Sequence, residues 1–261
     1  MTSSPNGARG LQVQVDAIDH EIAADRLWQL GANAVVAYPD HLHAGFDTLE
    51  QAQRARAQLP WPATVDPPAD PAAWYEAWKP HAPIVELERL VIHPPWKDPP
   101  PLDGRRSISI DPGLAFGHGA HPTTRLLLEA LEHQVQPGDR VLDVGCGSGV
   151  LALAAAALGA ASVLAIDIDP IAVAQTRQNA AANQFDVIAA STPIESLPGS
   201  YDLVVVNMIQ SELGAVAADL LRLTGRALLV SGLLTGQTVR TLPELVTIAE
   251  RDGWQACHAD R

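Results

Sequence analysis

The run VLDVGCGSG, residues 141–149, places Gly145, Gly147 and Gly149 between an apolar stretch and an alanine-rich one. Glycines where a strand turns into a helix let a ligand lie against bare backbone. The first turn of that helix also offers N–H groups that no carbonyl occupies. A dinucleotide fingerprint spaces its glycines G-x-G-x-x-G. Here Val150 stands where that pattern needs its third glycine, which comes one residue early. Asp167, 22 residues beyond Gly145, closes the next apolar run, SVLAIDI. A carboxylate there can accept hydrogen bonds from both hydroxyls of a ribose, as in NAD-binding folds. Asp169, directly before Pro170, is the better cap for the following helix, which leaves Asp167 for a ligand. Asn207 ends the run YDLVVVN. Asn is also a common turn residue.

One helix before the glycine run lies DPGLAFGHGAHPTT, residues 111–124, with three glycines, two prolines, two histidines and two threonines. It is too broken for a helix or strand and reads as a loop. With three glycines it is expected to be mobile without a ligand and ordered with one. His121 precedes Pro122, which pushes its backbone to an extended shape. Thr124 begins the next helix, where its hydroxyl can serve as cap or ligand contact. His118 and His121 are three apart, but zinc takes three or four protein ligands and the sequence places no others, so no metal is expected.

The elements that must position these groups are legible from period. From Thr123 onward helices and strands alternate: helix TTRLLLEALEHQV, strand RVLDVG, helix VLALAAAALGA, strand SVLAIDI, helix DPIAVAQTRQNAAANQ, then strands FDVIAAS, YDLVVVN and RALLVSG. That order implies a mostly parallel sheet covered on both faces. The first sixty residues read differently. Strand LQVQVDA, a helix capped by Asp19 and ending near Gly31, strands NAVVAYP and LHAGFDT, a helix capped by Thr48 and a short strand PATVDP make the β-α-β-β-α-β order of a ferredoxin-like α+β module. Residues 60–101 hold 12 of the 21 prolines, and Trp74, Trp78 and Trp96 are expected to pin this stretch to a domain. The expected division is a ferredoxin-like domain over 1–66, a proline-rich linker over 67–106 and an α/β domain over 107–261.

The chain has 261 residues, 47% of them apolar, and a net charge of −13. That length and composition allow one large or two smaller packed domains. The acidic balance argues against a nucleic-acid binder, which needs a basic stripe. Cys146 and Cys257 make no disulfide framework. The start MTSSPNGARG shows no apolar signal region. The most apolar run, 149–166, is mostly alanine and interrupted by Gly159 and Ser162, unlike a membrane span. A cytoplasmic location follows by default.

The G-x-G-x-G spacing after Leu142-Asp143 resembles the class I S-adenosylmethionine (SAM) methyltransferases. DPGLAFGHGAHPTT, VLDVGCGSGVLALAAAALGAASVLAIDIDP and VVVN together closely resemble the bacterial methyltransferases of large-subunit ribosomal protein eleven, the PrmA family. WYEAWKP and HPPWKDP resemble that family's linker segments. The resemblance covers essentially the whole chain, tightly over 111–170 and loosely before 70. It implies a Rossmann-like class I methyltransferase sheet with a small N-terminal ferredoxin-like domain for substrate recognition. It implies SAM as cofactor and methylation of lysine side chains or the α-amine of a basic ribosomal protein, by a monomer without direct nucleic-acid or membrane contact. By motif match, Phe116, Thr124, Gly145, Gly147, Asp167 and Asn207 would touch the cofactor, and Asn207 would be the catalytic residue, orienting the amine. No general base is needed, though His118 and His121 are candidates for one, and His118 is expected to face the acceptor side.

The chain departs from the family pattern in three places. His118 stands where the family has Thr or Ser. Met208-Ile209-Gln210 follows Asn207, where the family has an Ile or Leu and then a Leu or Tyr. After LPELVTIAERDG only WQACHADR remains, so the final strand of the class I sheet is expected to be absent. An empty slot would leave an exposed edge. Two alternatives follow: a methyltransferase of this fold acting on another protein or a small molecule, and a SAM-binding protein whose catalysis is weak or lost. An NAD-dependent oxidoreductase is disfavoured by Val150.

Overall fold

A computed structural model describes residues 9–16, 19–38, 40–66, 79–113, 119–242 and 244–261. Phe116, His118, Trp74 and Trp78 lie outside the described residues. The chain divides into two units, Met1–His81 and Ala82–Arg261.

In the first unit, strands β1 (Arg9–Gln14), β2 (Ala34–Tyr38), β3 (His41–Phe46) and β4 (Ala63–Val65) alternate with helices α1 (His20–Gln29) and α2 (Leu49–Gln58). The sheet order is β2-β3-β1-β4, with antiparallel neighbours throughout, which is the ferredoxin-like arrangement. Period-two alternation puts Leu11, Val13, Leu42, Ala44 and Phe46 on one face, where Ala23 and Leu27 of α1 and Ala52 and Ala55 of α2 cover them. Thr48 caps α2 in a reciprocal box with Gln51. Asp19 stands at the first boundary of α1, but its side chain caps no N–H, contrary to expectation.

The second unit opens with a three-stranded sheet of β5 (Val85–Glu86), β6 (Leu90–His93) and β7 (Arg106–Ser109). Val85, Leu90, Ile92 and Ile108 of these strands are buried in the core of this unit. Residues 82–106, expected as linker, therefore pack as part of it. Their alternating apolar residues outweigh their prolines.

The main sheet is built from β8 (Arg140–Val144), β9 (Ser162–Ile166), β10 (Val187–Ala190), β11 (Tyr201–Asn207), β12 (Thr224–Leu234), β13 (Val246–Arg251) and β14 (Trp254–Asp260). Helices α3 (Pro122–Gln134), α4 (Val150–Leu158), α5 (Pro170–Asn183) and α6 (Gln210–Leu223) connect or flank them. The strand order is β10-β9-β8-β11-β12-β14-β13. Neighbours from β10 to β12 run parallel, and β14 lies antiparallel to both β12 and β13. Separate apolar clusters cover the two faces: Leu127, Leu131, Leu153 and Leu229 belong to one, Leu142, Val204, Leu220 and Leu228 to the other. This is the class I methyltransferase sheet.

The final strand is therefore present, which corrects the expectation from sequence. Asp252 and Gly253, at φ 50° and 80°, form a two-residue turn that pairs Arg251 with Trp254 and returns the chain into the slot beside β12. Asp-Gly is a strong hairpin signal because both central residues of that turn need positive φ. The strand that follows hides its own periodicity. Trp254, Gln255, Ala256 and Cys257 are all buried, because β14 has a neighbour on each side and is covered on both faces. Among the described residues, no helix is long and apolar enough to cross a membrane.

Candidate functional site

Strand order reverses direction at β8, which has β9 on one side and β11 on the other. In open α/β sheets ligands bind beyond the carboxyl ends of the strands at such a switch point. The glycine run sits there. Gly145, Gly147 and Gly149 have φ of 76°, 55° and 83°, a region that residues with a Cβ occupy only under strain. Two bonds tie the start of the turn to β9: the N–H groups of Gly145 and Cys146 both donate to the Ile166 carbonyl, at 2.8 and 3.1 Å. Gly149 then caps α4 through backbone alone.

Asp167 extends from the end of β9 into this turn. Its Oδ2 accepts from the Gly147 N–H at 3.0 Å, and its Oδ1 from the Asp169 N–H at 2.9 Å. The carboxylate is thus held in one orientation against the glycine turn. Asp169 performs the capping, accepting from Ile171 N–H at 2.8 Å with Pro170 in the first turn of α5.

On the other side of β8, Asn207 ends β11. Its Nδ2 donates to the Thr124 hydroxyl at 3.1 Å. Thr124 is buried on α3. Its hydroxyl accepts from Asn207, while the cap of α3 is His121, whose Nδ1 accepts from Thr123 N–H at 3.4 Å and lies 2.8 Å from the Thr123 hydroxyl. The His121 ring meets Trp254 of β14 edge-on, with centroids 5.5 Å apart. His121, a candidate general base in the sequence, makes these contacts at the start of α3. Among the described residues no group of three or more His, Cys, Asp or Glu side chains could hold a metal.

Two buried ionisable groups lie beneath the turn. Asp143 is fully buried on β8, with Oδ2 accepting from Ala152 N–H at 3.1 Å and Oδ1 unpartnered. Loss of solvent pushes its carboxyl up to about 7; the Ala152 bond opposes this and the Asp167 charge adds to it. Burial likewise lifts the Cys146 thiol to about 12, helped by the Asp143 charge. Cys146 is therefore a packing residue, not a nucleophile.

Residues 8–261 match the family model described as ribosomal protein L11 methyltransferase (PrmA). The chain belongs to the PrmA family. Among its relatives, the ribosomal protein L11 methyltransferase of Geobacter sulfurreducens is 46% identical over 62% of this chain and 55% of its own length. That of Thiobacillus denitrificans is 36% identical over 88% of both chains. A crystal structure of ribosomal protein L11 methylase from Lactobacillus delbrueckii subsp. bulgaricus superposes with a TM-score of 0.62 at 30% identity, covering 67% of this chain and 96% of that one. The match spans just over half the length of the Geobacter sulfurreducens relative.

Within this PrmA scaffold Met208, one of the departures from the family pattern, has a place beside the turn, and Gly232 and Thr176 are contributors that the sequence reading does not name. Met208 lies against the turn, where a Cβ on Gly145 would meet its Cε at 2.6 Å. Gly232, at φ 92° in β12, makes room for the Met208 backbone, whose carbonyl oxygen lies 2.2 Å from where a Cβ would stand. Thr176 of α5 donates its hydroxyl to the Gly147 carbonyl at 3.0 Å, and its Cγ2 would lie 2.7 Å from a Cβ on Gly149. The signal for Thr176 is its place three and four positions after Val173 and Ala172, which puts a polar residue on the inward face of the helix.

Proposed function

We propose that this protein is a SAM-dependent methyltransferase acting on lysine side chains or the α-amine of large-subunit ribosomal protein L11. The observation that carries this reading is the placing of Asp167 and Asn207 at the ends of the two strands that flank β8, on either side of the glycine turn at the switch point of a PrmA-family sheet. The three left-handed glycines leave a stretch of bare backbone, and Asp167 presents a fixed carboxylate beside it, a combination that fits a nucleoside with a charged tail. Gly145 and Gly147 would carry the backbone contacts, Asp167 the ribose hydroxyls, and Thr124 with Phe116 the methionine end.

SAM, when bound, supplies an activated methyl on a sulfonium. The protein's task is then to bind, orient and dry the acceptor, and good orientation of two reactants is worth about 7–11 kcal/mol. An amine accepts a methyl only when neutral. A lysine with an ordinary pKa near 10.4 is neutral to roughly one part in a thousand at pH 7.4. Desolvation beside a positive charge lowers that pKa. The Thr124 hydroxyl holds the Nδ2 side of the Asn207 amide, which leaves Oδ1 to accept from the amine and aim its lone pair. No general base is required.

The first unit, with the ferredoxin-like order, would recognise the protein substrate. A basic ribosomal protein complements a chain of net charge −13. The protein would act as a cytoplasmic monomer without nucleic-acid contact. A binding protein with lost catalysis was favoured by a missing final strand, and β14 removes that ground. Tritiated-methyl transfer from SAM to free ribosomal protein L11 and to undermethylated ribosomes, against a panel of small amines, tests the reading. Label appearing only in the amines, or in nothing, would sink it.

A further inference from the structure

Helix α5 carries a polar stripe on its inward face. Thr176, Asn179 and Asn183 follow one another at three- and four-residue steps, which aligns them on one side of a helix. Thr176 and Asn179 are buried and Asn183 half-buried. Polar side chains stay buried on a packed face when each is fully hydrogen-bonded. The two asparagines bond to the last residue of β7 and the stretch that follows it. Ile110 turns its N–H toward β6, donating to the His93 carbonyl at 2.8 Å. Ser109 and Asp111 therefore turn their backbone groups the opposite way, toward α5.

There the asparagine amides stand in for a neighbouring strand. Asn183 accepts from Ser109 N–H at 2.8 Å and donates to Ser109 C=O at 2.7 Å. Asn179 accepts from Asp111 N–H at 3.1 Å and donates to Asp111 C=O at 2.8 Å. Asn179 differs from its partner in one respect. Its Nδ2 also donates to the Ser148 carbonyl at 2.8 Å, inside the glycine turn. One amide thus holds both the root of the 111–124 loop and the turn proposed to bind SAM. Asn183 touches no atom of that turn; its remaining bond goes to the Asn179 carbonyl.

We infer that Asn179 is a positioning residue that couples the order of the segment 109–113 to the occupancy of the glycine turn. The inference rests on the proposed SAM site. A ligand that fixes the turn fixes the Ser148 carbonyl, and through it the Asn179 amide and the backbone of Asp111. Conversely, loosening of Asp111 frees the Nδ2 that steadies the turn. Coupling of this kind is reciprocal.

The test combines calorimetry with SAM, hydrogen exchange and steady-state kinetics on the full chain. In the wild-type protein, SAM should raise the protection of the Asp111 and Gly113 amides together with those of 147–149. Protection at 147–149 without change at 111–113 would overturn the inference, whatever any variant does. Asn179→Ala should weaken SAM binding about tenfold, with the loss in KM for SAM and kcat at saturating SAM largely kept. It should also leave the 111–113 amides unprotected with SAM bound. Asn183→Ala should loosen Ser109 yet keep SAM affinity within about twofold. Equal losses in the two variants would reduce Asn179 to a structural residue and refute the coupling. If Asn179→Ala does not fold, Asn179→Asp keeps the acceptor for Asp111 N–H, removes both donors and carries the same expectations. A wild-type protein that binds no SAM would instead refute the proposed function.

Discussion

Asn207 and Thr124, 83 residues apart, meet through a hydrogen bond of 3.1 Å between the end of β11 and the first turn of α3. The bond decides which way round the Asn207 amide sits, and so which of its atoms faces an acceptor. Thr124→Val keeps the shape and removes the hydroxyl. It should lower kcat roughly fivefold, the equivalent of one neutral hydrogen bond of about 1 kcal/mol, and weaken SAM binding as well if Thr124 lines the methionine end. Asn207→Ala should cost about a hundredfold in kcat, the scale of a misoriented reactant. Single-turnover methyl transfer at saturating SAM measures both. Full turnover in Asn207→Ala would remove it from the mechanism.

Asp167 holds the turn and would hold the ribose. Asp167→Ala should weaken SAM binding by about 1.5–3 kcal/mol, the range for hydrogen bonds to a charged group. Titration calorimetry reads this directly. An unchanged affinity would mean that the carboxylate serves only the Gly147 and Asp169 amides.

Asp143 makes folding stability depend on pH. Its carboxyl titrates near 7 in the folded chain, against an ordinary value of 3.8. Below about 3.8 both states hold the proton and the group contributes nothing. Between there and about 7 the unfolded chain has lost a proton that the fold retains, so stability falls as pH rises. Above about 7 the penalty is complete, on the order of a few kcal/mol. Asn at this position cannot ionise. The melting-temperature gain of Asp143→Asn over wild type should grow from pH 4 to pH 7 and then level off, and a gain independent of pH would contradict the assignment.

Gly232 has no room for a side chain. Gly232→Ala would put a Cβ 2.2 Å from the Met208 carbonyl oxygen at φ 92°. The Asn207–Met208 corner must move to admit it. The variant should lose stability by about 1–3 kcal/mol and lose turnover further than stability explains. Denaturant titration beside a methyl-transfer assay separates the two effects.

The first unit is expected to serve the substrate and not the cofactor. A chain beginning at Ala82 should bind SAM with near wild-type affinity and fail to methylate ribosomal protein L11. Full activity of that truncation would overturn the division of labour.

The sequence by itself determined what depends on near neighbours. Gly145, Gly147 and Gly149 mark a left-handed turn because the residues that follow must enter a helix at once. Asp169 before Pro170 caps α5 because both act within one turn of backbone. The order of strands and helices follows from apolar period, and with the motif it identified the sheet. What no local pattern shows is burial on all sides: β14 is buried at five of its seven positions, the polar Gln255 among them, so no alternation marks it, although Asp252-Gly253 stands before it as a turn signal. Helix α6 was passed over although Leu213, Ala217, Leu220 and Leu223 repeat at helical steps. Only the tertiary structure decided the partnerships. Thr124 reads as a cap or a ligand contact, and only the fold brings Asn207 to it from 83 residues away. Asn179 and Asn183 have no distinct role within the helix pattern; they gain one when backbone 68 and 74 residues earlier comes to lie against them. Asp143 loses its water only through the packing that covers β8. In each case the energy comes from excluding solvent around a polar group, and that depends on segments distant in the chain.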